Sequence, residues 1–226
     1  MKAPRSPPRV ASRRSPPRRA AAVPSPWGTA AERARERELK REAVILAAAR
    51  AFRDRGYHNT SLDDVAAALH VTKPTIYSYV RSKEELLFEC FRSGVESIRA
   101  SFLKAAGLDA SGRERLLAVA HGYAVAITSE FGSCMVRIED QDLSPAMSGK
   151  IKAMKSEIDQ SLRRLIREGV ADGSIRPCDI KMTAFALAGA LNWIAHWHRA
   201  DDSLLPDEIA TRLLAVFDLG LAPRGD

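Results

Sequence analysis

The sequence predicts an all-α fold, in which several closely spaced helix starts near the N-terminus give way to long helices. Three observations carry this. Beyond Ala31 no stretch alternates β-branched and aromatic residues with the period of two that a strand requires. Apolar residues recur at helical spacing instead, as at Ile45, Ala48, Ala49 and Phe52. Gly107, Gly132, Pro145, Gly173, Pro177 and Pro206 then punctuate the second half into segments of helical length.

The bulk numbers bound the class of protein. The chain has 226 residues, 46% of them apolar and 28% charged, enough to bury a sizeable core. The longest uncharged apolar run, Met182–Trp197, has 16 residues and contains Asn192 and His196. It falls short of the roughly 20 that a membrane helix needs, so no membrane partner is expected. Three cysteines with no CxxC pair exclude a disulfide framework and a Cys-rich zinc site, and fit a reducing cytoplasm.

The net charge of +7 sits in one place. Residues 1–31 carry seven basic residues and no acid, leaving 28 basic against 28 acidic residues in the rest. The same segment holds seven of the twelve prolines. It reads as a disordered Pro/Arg-rich tail with polyproline character. It reads as a solvated extension, or as the product of a start codon upstream of the real one, and also as an arm adding unspecific phosphate contacts; both can hold.

The elements follow in order. The first helix is expected over about 34–55, stopped by Gly56. Ser61 precedes Leu62-Asp63-Asp64, an N-cap with an acid at the third position. Thr72 precedes Lys73-Pro74, with proline tolerated in a first turn. Ser82-Lys83-Glu84-Glu85 reads as a full capping box. The middle helix then spans about 73–80. Further helices are expected at 83–105, 112–130, near 133–140, 145–171, 178–199 and 206–221, with Ser144-Pro145 as an N-cap followed by an N1 proline.

The short helix pair, 61–80, has helix-turn-helix spacing. Val65, Ala66 and Leu69 form the inner face of its first helix, Ile76 faces back from its second and Val71 fills the turn. The second helix then projects Lys73, Thr75, Tyr77 and Ser78 outward. A helix fits the major groove with its N-terminal residues at base edges. Tyr79, Lys83 and the Thr60-Ser61 end of the preceding helix are placed for phosphates.

Residues 43–91, AVILAAARAFRDRGYHNTSLDDVAAALHVTKPTIYSYVRSKEELLFECF, resemble the DNA-binding domain of the TetR family of transcriptional regulators. The resemblance runs through AAARAF, RGY, the T-S-x-x-D-V-A start, V-T-K-P-T-I-Y-S-Y and S-K-E-E-L. It departs at Val80, where phenylalanine is usual, and at His70, where glycine is common; His70 is therefore expected at positive φ or in an altered turn. The resemblance implies phosphate contacts at Thr60, Tyr79 and Lys83, and base-edge contacts at Lys73, Thr75 and Tyr77. It implies a homodimer on a palindromic DNA operator, repression released by a small-molecule inducer, and a helical ligand-binding and dimerisation bundle behind the helix-turn-helix domain. The expected division is a tail at 1–31, a DNA-binding domain at 38–98 and the bundle at 99–222, in a bacterial, cytoplasmic, nucleoid-associated protein.

In the second half AFALAGALNWIAHWHR, residues 184–199, stands out. Its small residues suit a close helix–helix or subunit contact. Trp193 and Trp197 share one face, Asn192 and His196 the neighbouring one. With the apolar stripe of the next helix this fits a four-helix dimer interface. G-A-L-N-W-x-x-x-W-H-R with a downstream L-P-D-E-I-A resembles the TetR branch that answers to acyl-CoA thioesters in fatty-acid, steroid and aromatic-acid degradation. The ligand candidates are Asn192, Trp193, His196, Trp197, Met135 and Phe131, with the tryptophans equally readable as interface packing. His121, Tyr123 and Arg137 are further candidates on the central helices. Lys152, Lys155, Arg163, Arg164 and Arg167 form a basic face, solvated or gripping a CoA phosphate.

Two other classes were weighed. No nucleophile elbow, HExxH or phosphate-binding loop supports an enzyme. Glu130, Glu139, Asp140 and Asp142 keep open a regulator of drug efflux whose pocket takes cationic or aromatic compounds. His196-x-His198 diverges on a helix and gains no third ligand, so neither metal nor cofactor is expected.

Overall fold

The computed structural model describes residues 28–137, 143–199 and 203–221. The expected disordered tail falls mostly on residues outside these, as do Glu139, Asp140 and Asp142. Among the described residues the secondary structure is helical, in nine segments: α1 Ala30–Arg55, α2 Leu62–Ala68, α3 Lys73–Tyr77, α4 Lys83–Ala106, α5 Gly112–Thr128, α6 Glu130–Arg137, α7 Pro145–Ala171, α8 Ile180–Trp197 and α9 Pro206–Leu221. The chain divides into two compact units, one to Arg37 and one from Glu38 on.

In the first unit α1 starts four residues before the expected position, inside the segment read as tail. Thr29 and Glu32 cap it reciprocally, with the Thr29 N–H donating to the Glu32 carboxylate at 2.5 Å and the Glu32 N–H to the Thr29 hydroxyl at 3.2 Å.

The second unit holds two apolar cores. Val44, Ile45, Phe52, Val65, Ile76, Leu86 and Leu87 build the first, around the helix-turn-helix. Val95, Ile98, Leu116, Ile127, Leu162, Leu187 and Leu191 belong to the second, within the long helices. The division passes through α4 and α6: Cys90 and Cys134 lie in the first core, their neighbours Phe91 and Met135 in the second. These two helices therefore belong to both halves. They also approach closely, because a Cβ on Gly94 of α4 would stand 3.1 Å from the Phe131 carbonyl of α6.

Local chemistry sets the helix ends. Ser61 and Asp64 form a reciprocal capping box. At Ser82 only half of the expected box exists: Ser82 accepts from the Glu85 N–H at 3.0 Å, but the Glu85 carboxylate takes the Arg81 N–H, at 2.6 Å. The α3 helix ends at Tyr77, three residues short of expectation, as Ser78 and Tyr79 turn back towards α4. His70 carries the turn between α2 and α3 with φ 55°, the left-handed conformation expected of it. Val71 does not fill that turn; it is exposed.

The α6 helix starts at Glu130, not near 133, because Ser129 breaks α5 and its hydroxyl accepts the Gly132 N–H at 3.1 Å. Gly132 is thus not a stop but a contact: a Cβ there would meet the Ala126 carbonyl at 2.0 Å. In α8, Asp179 caps the helix at Ile180, two residues later than expected.

Candidate nucleic-acid interface and bundle cavity

The first site is a surface built from helix ends. The N-caps of α2 and α4, Ser61 and Ser82, together with α3 frame a concave region of about 480 Å³ bordered by His58, Lys73, Tyr77, Arg81 and Lys83. Lys73 Nζ lies 2.7 Å from the Asp63 carboxylate, which holds the ammonium's pKa above its usual value and fixes the side chain's direction. Tyr77 is half exposed, and the Ser78 hydroxyl donates to the Thr75 carbonyl at 2.6 Å. Thr75 and Thr72 share a hydroxyl–hydroxyl bond of 3.0 Å. Lys83 Nζ rests 4.2 Å above the Tyr57 ring and donates to the His58 carbonyl at 3.4 Å. Tyr79 packs its ring against the first core. Of the expected DNA-contact residues, Ser61, Lys73, Tyr77 and Lys83 border this one region together.

Thr60 is the exception among the expected phosphate contacts. It is 1% exposed, and its hydroxyl donates to the carbonyls of Ala51 at 3.1 Å and Gly56 at 2.9 Å. Those carbonyls belong to the end of α1 and the turn after it, so Thr60 ties α1 to the start of α2 and its side chain does not face outward.

The second site lies among the long helices. A cavity of about 280 Å³ is lined by Phe91, Tyr123, Met135, Val136, Ile158, Leu162, Ala188 and Asn192, with Lys155, Asp159 and Phe185 at its border. The Tyr123 hydroxyl donates to Asn192 Oδ1 at 3.0 Å. Burial pushes the phenol up to about 12, partly offset by this bond, so Tyr123 stays neutral over the physiological range. The border is basic. The Arg163 guanidinium and Lys181 ammonium lie 5.2 and 5.7 Å from the centre of the Phe185 ring, and Lys155 lies 5.8 Å from that of Phe91. Asp159 is the acid there, paired with Arg163 at 2.7 Å.

Of the six ligand candidates, Asn192 and Met135 line this cavity. Phe131 does not: it packs on the first core and lines a groove with Leu39 and Ile45. Trp193 and Trp197 are 62% and 44% exposed, and His196 is exposed with its ring 4.7 Å from that of Trp193. The inward side of α8 is taken by Leu187, Leu191, Ile194 and Ala195. Four residues advance a helix about 40° beyond a full turn, which carries His196 past the border where Asn192 stands. Tyr123, passed over among the six, is the residue that makes the cavity polar. Its signal was a hydroxyl on the apolar face of α5, which must find a partner when buried.

Arg137 does not line this cavity; it lines a separate, polar one with Arg53, Asp54, Ser133 and His198. Its Nε and Nη2 donate to the Ala195 carbonyl at 3.1 and 2.8 Å, and its Nη1 to the Arg53 carbonyl at 3.0 Å. One guanidinium on α6 thus caps the last turns of both α1 and α8. Arg50 of α1 adds a 3.0 Å pair to Glu130 of α6. His121 lies 3.6 Å from Asp207. Of the basic face, Arg164 approaches Glu168 at 4.0 Å, while Lys152 and Arg167 are exposed. No group of three His, Cys, Asp or Glu able to hold a metal occurs among the described residues, and no described helix is long and apolar enough to cross a membrane.

Comparison with known proteins gives the family. Residues 44–90 match the family model of bacterial regulatory proteins of the tetR family, and residues 109–221 match that of the tetracyclin repressor-like C-terminal domain. The chain is 27% identical over 191 residues to the HTH-type transcriptional repressor KstR2 of Rhodococcus jostii, covering 81% of this chain and 91% of that protein. It is also similar to AibR, solved in complex with isovaleryl coenzyme A and operator DNA, with a TM-score of 0.70 and 28% identity over 78% of this chain and 97% of that one. The ketosteroid regulator KstR2 of Mycobacterium tuberculosis shares the fold, with a TM-score of 0.75 at 21% identity over 82% and 96% of the chains. The chain belongs to the TetR family and is a DNA-binding transcriptional regulator, not an enzyme.

Proposed function

We propose that this protein is a repressor that binds a palindromic operator as a homodimer and is released by a small acyl-CoA thioester. The observation that carries the effector class is the bundle cavity: apolar walls, one polar pair, Lys155 at the border and Lys181 beside the bordering Phe185. Apolar walls suit an acyl group and a cationic border suits a phosphorylated nucleotide. AibR, a relative over most of the chain, was solved with isovaleryl coenzyme A. A cationic effector has less support, because the acid at the border, Asp159, is paired, and Glu130 is paired with Arg50 away from the cavity.

The exposed apolar residues support the dimer. Met182, Phe185, Trp193 and Trp197 on α8 and Val216 and Leu219 on α9 lie open on consecutive helices, a number unusual for a monomer's surface. Base contacts are assigned to Lys73, Thr75, Tyr77 and Ser78, and phosphate contacts to Ser61, Tyr79 and Lys83. The setting proposed is the bacterial cytoplasm, on the nucleoid.

Release requires that the effector bind the operator-competent and released forms unequally. The α6 helix suits that coupling, since Met135 lines the cavity while Cys134 belongs to the DNA-binding core. The test is operator binding by fluorescence anisotropy, titrated with acyl-CoA thioesters and, in parallel, with cationic dyes. Release by thioesters supports the reading; release by dyes alone replaces it with efflux control.

A further inference from the structure

Inward of Lys155 and Asp159 the cavity is apolar except at one place. Tyr123 and Asn192 meet there, on α5 and α8, among Phe91, Met135, Ile158 and Leu162. Tyr123 is 4% exposed and spends its only hydrogen on Asn192 Oδ1. Asn192 Nδ2 then has two hydrogens and makes no hydrogen bond with the described residues. Turning the amide over does not remove the excess: Nδ2 would donate to the phenol oxygen, and the phenol hydrogen would be freed. In either arrangement the pair keeps a hydrogen to give into the cavity.

The pair also has a place along the cavity. Asn192 follows Phe185 by seven residues, roughly 10 Å of helix. The Phe185 end is where Arg163 and Lys181 stand. A nucleotide remains outside that open end with the pantetheine arm between it and the cavity, so the acyl group leads inward, towards the Tyr123–Asn192 pair. Size sets a second limit. A cavity of about 280 Å³ is roughly twice the 150 Å³ that takes one benzene ring. That space suits one ring or a short branched chain better than four fused rings or a long saturated chain.

We propose that the effector's acyl group is short or single-ringed and carries an oxygen acceptor beyond the thioester, received by Asn192 with Tyr123 as its support. The proposal rests on the acyl-thioester reading above and narrows it to oxygenated acyl groups. An acyl group without that oxygen displaces water from the amide and leaves a donor stranded. The same polar pair thus both accepts the oxygenated ligand and rejects its plain counterpart.

The test uses two matched pairs on the full-length protein: benzoyl-CoA against a ring-hydroxylated benzoyl-CoA, and a five-carbon branched acyl-CoA against its 3-hydroxy counterpart. Binding is measured by calorimetry and operator release by anisotropy. In the wild type the better oxygenated ligand is expected to bind roughly ten- to hundredfold more tightly than its plain partner, the effect of one stranded donor. Asn192→Leu should erase or reverse that preference. Tyr123→Phe, which keeps the ring, should reduce it, and it serves as the test if Asn192→Leu fails to fold by thermal melting. Equal binding of both members of each pair, or a preference that survives Asn192→Leu, overturns the proposal and leaves the acyl-thioester reading standing. If none of the four ligands binds the wild type, the acyl-thioester reading falls and the proposal falls with it.

Discussion

Thr60 stands at the head of α2 with its hydroxyl turned inward, so its replacement should be felt in stability and not in recognition. Thr60→Val keeps the shape and removes the one hydroxyl hydrogen that the Ala51 and Gly56 carbonyls share. A loss of about 1–3 kcal/mol is expected, read as a lower melting temperature with an unchanged ranking of operator variants. Lys73 is expected to behave in the opposite way. Lys73→Ala leaves the fold alone, since Lys73 is exposed, and should flatten the preference at one operator position by about 1–3 kcal/mol. Competition among single-base operator variants separates the two residues; an unchanged preference profile for Lys73→Ala removes it from the base contacts. Glu89 supplies a pH effect. Burial pushes its carboxyl up, but the bonds from Arg92 and Arg41 outweigh this and hold it below the usual range. A depressed carboxylate stabilises the fold above its unfolded pKa, and that contribution disappears as pH falls through the folded value. The melting temperature of the wild type should therefore exceed that of Glu89→Gln at pH 7, with the gap closing below about pH 4.

At the scale of elements, α6 is the helix to question. It is eight residues long, yet it contributes Cys134 to one core and Met135 to the other, and Arg137 caps two helices that lie in different halves. The last carbonyls of a helix have no partner within it and carry its negative dipole end, so a guanidinium placed there is favoured twice. Arg137→Met keeps much of the side chain's bulk and removes every donor. Direct effector binding should change less than about threefold, because Arg137 does not line the cavity. The effector-induced fall in operator affinity should shrink by about 1 kcal/mol or more, within the usual size of such couplings. An undiminished fall would show that α1 and α8 are coupled without it. The position of α6 was hard to read from sequence because Gly132 looks like a break. In the fold it is the residue that lets α6 lie against the end of α5, and the break is at Ser129. Conversely, the bounds of α7 and α9 were plain, since Ser144-Pro145 and Pro206 are local start signals that act whatever surrounds them.

For the whole molecule the open question is what covers the outer face of α8 and α9. Gly189 lies on the exposed side of α8, and a Cβ there meets nothing within the chain. In an isolated chain Gly189→Leu should therefore help, by about 0.5–1 kcal/mol of helix propensity. In a dimer packed through this face the same side chain falls between two helices. Gly189→Leu is thus expected to shift the protein towards monomer in light scattering and to weaken operator binding, without lowering the helix content. A variant that remained dimeric would place the interface elsewhere.

Helix-turn-helix identity and the surface that Ser61, Lys73, Tyr77 and Lys83 share were readable in the sequence. They depend on signals a few residues long: caps at Ser61 and Ser82, a proline at the start of α3, and an apolar pattern that leaves Lys73, Tyr77 and Ser78 on the other side. Such signals act locally, so neighbours in sequence suffice to read them. The all-helical class and most helix bounds were readable for the same reason. Three matters were decided by tertiary structure alone. Thr60 turned from a phosphate contact into a buried tie, because only the packing of α1 on α2 shows where its hydroxyl points. Trp193, His196 and Trp197 went to the outer face, because helical periodicity groups residues into faces but does not say which face looks inward. The Tyr123–Asn192 pair joins residues 69 positions apart. A contact of that range leaves no trace in local spacing, since it exists only once the long helices have packed and a buried hydroxyl has had to find its partner.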